Sequence, residues 1–329
     1  MRRVRVWLPT ALAVLTVCAA TACGGSSSGS GASASGGASA AVQNTAVTVG
    51  VIPIIDVAPI YLGEKKGFFA EQHLDLTLKT ASGGAAIIPG VLAGQMQFGF
   101  SNVTSLLIAK SKNLPVKMIA PGNFSTGIAG KDFGGLVVPN DSPIQTAKDL
   151  EGKTVAVNNL NNIIQTTVDA SVRKAGGDPK KVKYVELAFP DMPAALANHR
   201  VQAAFPVEPF LTASLDQGNR VVAWSLADAA PNLMIAAYFT STGYASQNPD
   251  VVQRFTAAIE ESLQYAAEHP DEARAMVTTY TKITPDVAAK VILPKWEPSI
   301  NPQSVQALAD LAVQSGLLTA PPDVSTLLP

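Results

Sequence analysis

From Val47 to Phe239 the chain alternates short apolar runs of strand length with stretches of helical spacing, and this alternation constrains the architecture more than any other feature. The strand-length runs cover residues 47–52, 74–78, 97–100, 116–120, 135–138, 154–157, 182–187, 201–205, 220–224 and 233–239. Helical spacing occupies 58–66, 85–93, 104–112, 163–175, 193–199 and 208–216. Strands separated by helices of that length form βαβ units, so the fold class is α/β with mainly parallel sheets flanked by helices. Beyond Phe239 no strand pattern recurs. Asn248-Pro249, His269-Pro270 and Asn301-Pro302 each place a proline at a first helical position, and Gly316 ends the last stripe.

The runs fall into two series, and the chain's 329 residues suit about two domains. With 47% hydrophobic residues and 15% charged ones, most of the chain must collapse into a core. Residues 42–139 read as the first part of lobe 1 and 140–232 as lobe 2. Residues 233–329 read as a return strand and the helical remainder of lobe 1. The Asn140-Asp141-Ser142-Pro143 turn and the 233–239 run mark the expected crossings, and two strands passing between lobes make a hinge.

Residues 1–22 begin Met-Arg-Arg-Val-Arg and continue as an interrupted apolar stretch, the pattern of an export signal. Ala20-Thr21-Ala22-Cys23 resembles a lipoprotein lipobox, which assigns lipidation to Cys23; the competing reading is an ordinary cut after Ala22. Residues 24–41 contain only Gly, Ser and Ala, too little apolar surface to order themselves, and serve as a tether behind Cys23. The expected location is therefore the outer face of a bacterial cytoplasmic membrane, with the body moored by lipid.

Removing Arg2, Arg3 and Arg5 with the signal leaves 21 basic against 25 acidic residues, a formal charge of −4. A body without a basic excess is not expected to bind nucleic acid. Cys18 and Cys23 are the two cysteines, so the body from residue 42 carries no disulfide and relies on its core. His73, His199 and His269 are scattered, without metal-ligand spacing. Gly99-Phe100-Ser101-Asn102-Val103 lacks the closing glycine of a nucleophile elbow. The expectation is a monomeric binding protein, not an enzyme, with no cofactor and no metal; a secreted hydrolase is the competing class.

Gly50-Val51-Ile52-Pro53 followed by Ala58-Pro59-Ile60-Tyr61-Leu62-Gly63-Glu64-Lys65-Lys66-Gly67-Phe68-Phe69 resembles the opening of the nitrate/sulfonate/taurine/thiamine-precursor substrate-binding proteins of ABC importers. Residues 90–99, 149–157 and Glu208-Pro209 extend the resemblance in the family's order. It implies a type II periplasmic-binding fold whose two lobes close on a small molecule and deliver it to a permease and its ATPase. The chain departs from the family at Asn158-Asn159-Leu160-Asn161-Asn162, where Gly or Ser commonly holds an anion, and at His73, read here as a left-handed turn.

Ligands of α/β sheets sit beyond the carboxyl ends of the strands. That rule selects Asp56, Ser82, Gly83, Gly84, Ser101, Asn102, Asn123, Phe124, Asn159, Asn161, Asn162 and Glu208, a set without Lys or Arg. Glycines before a helix expose backbone N–H groups, though the same residues serve ordinary turns and caps. Phe124 is the best-placed aromatic for stacking on a flat ligand. Asp56 and Glu208, if unpaired in a closed cleft, require a ligand donor or cation. The expected ligand is an organic molecule with hydrogen-bond donors, such as an amine or N-heterocycle; the alternative is an alkanesulfonate or nitrate-type anion.

Overall fold

Each strand-length run becomes a strand, and the ten strands divide equally between two sheets in a computed structural model that describes residues 44–329. The export signal, Cys23 and the tether lie outside the described residues. The strands are β1 (Thr45–Val51), β2 (Leu74–Thr80), β3 (Phe98–Asn102), β4 (Val116–Phe124), β5 (Leu136–Pro139), β6 (Thr154–Val157), β7 (Lys183–Glu186), β8 (Ala203–Ala204), β9 (Asn219–Ala223) and β10 (Met234–Ser241). The first sheet has the order β2-β1-β3-β10-β4 and the second β7-β6-β8-β5-β9.

The two orders are the same pattern used twice. β1 pairs in parallel with β2 and β3, as β6 does with β7 and β8. In each sheet one strand runs against the rest: β10 between β3 and β4, and β5 between β8 and β9. That strand is the one that arrives from the other sheet's side of the chain path. Because the remaining strands share a direction, their carboxyl ends lie along one edge, where loops and helix starts gather.

β5 corrects the expected lobe boundary, because residues 136–139 belong to the second sheet and not to the first. The chain leaves the first sheet after Phe124 and returns through Leu233, and the two crossings are joined by Ser125 N–H donating to the Leu233 carbonyl at 2.8 Å. Buried Asp132 organises the outgoing segment by accepting from Ser125 Oγ (2.6 Å) and from the amides of Thr126 and Phe133 (both 3.0 Å). The Asn140–Pro143 turn lies within the second lobe, where Ser142 N–H closes it onto the Pro139 carbonyl. Segment 126–135 lacks an apolar run and so gives no local sign of a crossing.

The C-terminal helices also depart from the expected assignment to lobe 1 alone. Pro249–Glu268 and Pro270–Tyr280 pack on helix Ala58–Lys66 of the first lobe, burying Val251, Phe255, Ile259 and Leu263. Helix Pro302–Gln314 packs against both Val103–Ser111 and Ile163–Lys174, one from each lobe, with Val305, Leu308, Ala309 and Ala312 buried. A helix with a wide apolar stripe suits a position between two surfaces.

Candidate functional site

The segments that follow β1, β2 and β3 meet those that follow β6, β7 and β8, and asparagine side chains form much of the seam. Asn102 ends β3 and caps helix Val103–Ser111: its Oδ1 accepts from Ser105 N–H at 2.9 Å while its Nδ2 donates to Ser105 Oγ at 3.0 Å. The same Oδ1 reaches across the lobes to Ile163 N–H at 3.4 Å. Asn158 Nδ2 crosses the other way, donating to the Ser82 carbonyl at 3.3 Å. Asn162 caps the second-lobe helix through Ile164 and Gln165 N–H, and its Nδ2 holds Asn158 Oδ1 at 2.7 Å.

The glycines of 83–84 permit this close approach. A Cβ on Gly83 would collide with Asn159 Oδ1, and one on Gly84 with Ser101 Oγ. Gly83 is the first-lobe surface on which the second-lobe loop rests, so its missing side chain serves lobe-to-lobe contact. Ser101 is fully buried and its hydroxyl donates to the Asn102 carbonyl at 3.2 Å. Ser82 is exposed at the rim.

Asp56 and Asn123 lie together at the ends of β1 and β4 and are not fully paired. Asp56 Oδ2 and both amide atoms of Asn123 are buried with no hydrogen-bond partner among the described residues. Burial pushes the Asp56 carboxyl up to about 7; its own backbone and the neighbouring Asn123 oppose the rise, and the negative Asp132 adds to it. Tyr238 OH, near enough to feel the Asp56 charge, is also buried and unpartnered. Asn159 adds another such atom: its Nδ2 donates to Glu186 at 3.2 Å while Oδ1 has no donor. Buried acceptors without donors are costly unless something brings an N–H or O–H to them.

Glu208 is also buried, but its bonds are made. Its Oε2 accepts from Thr212 N–H at 3.0 Å, and Oε1 from Thr212 Oγ1 at 2.7 Å and Ile292 N–H at 3.2 Å. Its backbone takes Ile55 N–H and gives to the Phe133 carbonyl. Burial raises its carboxyl to about 7 against those hydrogen bonds, and nearby Asp216 contributes to the rise. The unpaired state that would have made it a ligand anchor is absent; here it ties the second lobe to the 292 segment. Phe124 is fully buried in the core, its N–H and C=O both bonded to Lys295, and so is not free to stack on a ligand. Asn161 is exposed in a left-handed turn, φ 54°, and its N–H is held by Gln165 Oε1 at 3.0 Å.

A cavity of about 300 Å³ opens between the lobes, lined by Ile52, Pro53, Ile54 and Ser82 on one side and by Phe189 and Pro190 on the other. Its size is at the lower end for small-molecule sites, and its walls are largely apolar. Phe189 and Pro190 follow β7, and the rule that selected the other candidates reaches them as well once that strand's end is included. The left-handed turn expected at His73 is present, φ 53°.

The formylaminopyrimidine-binding protein of Halalkalibacterium halodurans is 24% identical over 231 residues, 67% of this chain and 65% of the relative, so the chain spans just under two thirds of that relative's length. The riboflavin-binding protein RibY of Chloroflexus aurantiacus is 25% identical over 268 residues, covering 80% of this chain and 73% of that one. Among solved structures, the alkanesulfonate-binding protein SsuA from Xanthomonas axonopodis pv. citri bound to MOPS superposes with a TM-score of 0.74 at 17% identity, over 88% of this chain and 99% of the other. That likeness establishes the two-lobed α/β fold of periplasmic binding proteins. A family model described as NMT1/THI5 like matches residues 54–273, which run from just after β1 through β10 and include both crossings, and the chain therefore belongs to the NMT1/THI5-like family.

Proposed function

We propose that this chain is the extracytoplasmic solute-binding component of an ABC-type importer, moored by a lipid on Cys23 and delivering a small organic molecule to a membrane permease. The solute is a flat amine or N-heterocycle rich in hydrogen-bond donors. One observation carries this reading: the seam leaves acceptor oxygens unpaired on Asp56, Asn123 and Asn159 beside neutral donors alone, Asn123 Nδ2 and the Tyr238 hydroxyl, and places no Lys or Arg among the candidate residues. A donor-bearing solute satisfies those oxygens, whereas an oxyanion adds further acceptors. The pyrimidine-derived and riboflavin ligands named for the two relatives are heterocycles of that description. Closure follows if the solute's contacts exist mainly in the shut state, since a ligand shifts an equilibrium only by its differential affinity.

A thermal-shift screen tests this with aminopyrimidines, riboflavin, aromatic amines, taurine, ethanesulfonate and nitrate. The expected result is stabilisation by the heterocycles, about 2.7 kcal/mol at a hundredfold excess over Kd, with the compound recovered unchanged by chromatography. Stabilisation by the oxyanions alone, or conversion of the bound compound, overturns the reading. Cys23→Ser should release the protein from membranes, and retained attachment would remove the lipid anchor from the proposal.

A further inference from the structure

Asn102 does more than start its own helix. One side-chain oxygen stands between two helix N-termini from different lobes, accepting Ser105 N–H of Val103–Ser111 at 2.9 Å and Ile163 N–H of Ile163–Lys174 at 3.4 Å. Each helix turns toward that oxygen its positive dipole end and an N–H with no partner inside the helix, an arrangement that ordinarily recruits an anion. Four other amides of the second-lobe turn are also occupied. Asn162 Oδ1 takes Ile164 and Gln165, Gln165 Oε1 takes Asn161, and the Glu186 carboxylate takes Leu160 at 3.2 Å. The grip of Nδ2 on Ser105 Oγ fixes which way the Asn102 oxygen faces.

A second observation is independent of the helix starts. Asn159 Oδ1, 5% exposed with its residue, lies at the seam against Gly83 and has no donor among the described residues; Thr104 Oγ1 in the first turn after Asn102 is buried and unpartnered too. At the second-lobe turn, then, the Leu160, Asn161, Ile164 and Gln165 amides are taken, while the Asn159 acceptor oxygen is left over. We infer that Asn102 is the specificity-determining residue of the cleft: its Oδ1 occupies the position an oxyanion would take between the two helix starts, which turns the site toward solutes that bring N–H groups. This rests on the proposed binding role of the cleft.

Asn102→Ser separates the two tasks of the side chain. Serine still caps its own helix, but its shorter side chain no longer spans to Ile163. Asn102→Asp keeps an acceptor for both amides and adds negative charge. Taurine and ethanesulfonate are titrated calorimetrically into all three proteins, and exchange of the Ile163 amide is followed without ligand. The expected result is sulfonate binding by Asn102→Ser alone, at least about tenfold tighter than any trace in the parent. Ile163 exchange should quicken by a similar factor in that variant and stay slow in Asn102→Asp. Sulfonate binding by the unaltered protein or by Asn102→Asp within about tenfold of Asn102→Ser overturns the inference, as does a folded Asn102→Ser that takes up none. If Asn102→Ser fails to fold, the Asn102→Asp and parent titrations still decide, because sulfonate uptake by either refutes it and silence in both with slow Ile163 exchange sustains it. Heterocycle binding by the parent together with sulfonate-blind Asn102→Ser defeats this inference and spares the function. Sulfonate uptake by Asn102→Ser without any heterocycle binding in the parent does the reverse.

Discussion

The loop after β1 and the loop after β8 each bury one carboxylate, and burial raises both Asp56 and Glu208 to about 7. Their surroundings differ in the bonds they supply. Glu208 receives three donors from Thr212 and Ile292, whereas Asp56 keeps an oxygen with no donor among the described residues. Burial and a raised pKa therefore do not distinguish a structural acid from a binding one; the accounting of partners does. Glu208 holds segments together, and Asp56 has capacity left for a solute.

Glu208→Ala should give the largest effect that breaks or sustains this contrast. It strands two amides and a hydroxyl in the interior, at about 1 kcal/mol or more for each, so stability in urea should fall by about 3 kcal/mol. Asp56→Asn removes no comparable set of bonds. It should leave stability at pH 8 unchanged or higher and weaken the solute by about tenfold, roughly 1.4 kcal/mol. If Glu208→Ala is as stable as the parent, or Asp56→Asn binds normally, the division of labour is wrong.

Titration sharpens the same comparison with a somewhat smaller effect. Both carboxyls ionise at higher pH in the folded chain than in the unfolded one, so the folded state holds the extra protons. The stability linked to each is complete below the ordinary carboxylate pKa near 4 and is lost as pH rises to about 7. Asp56→Asn deletes one of these contributions. Between pH 5 and pH 8 the decline in unfolding free energy should become roughly 2 kcal/mol shallower than in the parent, measured by denaturant midpoints across the series. An unaltered slope would mean that Asp56 ionises normally in the folded protein.

Much of the architecture was legible along the chain. Helix Ala58–Lys66 and strand Thr154–Val157 fall where their spacing puts them, since local propensity, glycine stops and proline starts agree there. The lobe crossing was not legible because residues 126–135 carry no apolar run, and the pairing that places β5 beside β8 and β9 is made by residues far along the chain. The site was legible as a set of strand ends and not as a set of bonds. Asp56 and Glu208 read alike in sequence; the amide that helps occupy Glu208 comes from Ile292, 84 residues further on. Asn102 read as a cap, which it is, while its reach to Ile163 depends on how the lobes meet.

Gly83→Ala moves the comparison from the acids to the surfaces that close over them. The added methyl collides with Asn159 Oδ1 and meets Asn158 Nδ2 at 2.8 Å, both across the seam. Solute affinity should fall between about tenfold and a hundredfold, with the ligand-free melting temperature little changed. Asn159→Gly in the same chain should recover part of the loss, because the nearest colliding atom is then absent and Asn158 Nδ2 alone remains, at 2.8 Å. Equal affinity in Gly83→Ala would show that solute binds without this contact.

The smallest effect is expected at Asn161, a seam-adjacent asparagine that differs from Asn102 and Asn162 in its backbone and exposure. Its φ of 54° lies where glycine is tolerated best, and its side chain is exposed while its amide is held by Gln165. Asn161→Gly keeps that amide bond and relieves the left-handed strain, but adds freedom to the unfolded chain, so the two terms offset to within about 0.5 kcal/mol. Solute affinity should not change. A loss of fivefold or more in calorimetry would mean that the side chain turns inward when the lobes hold their solute.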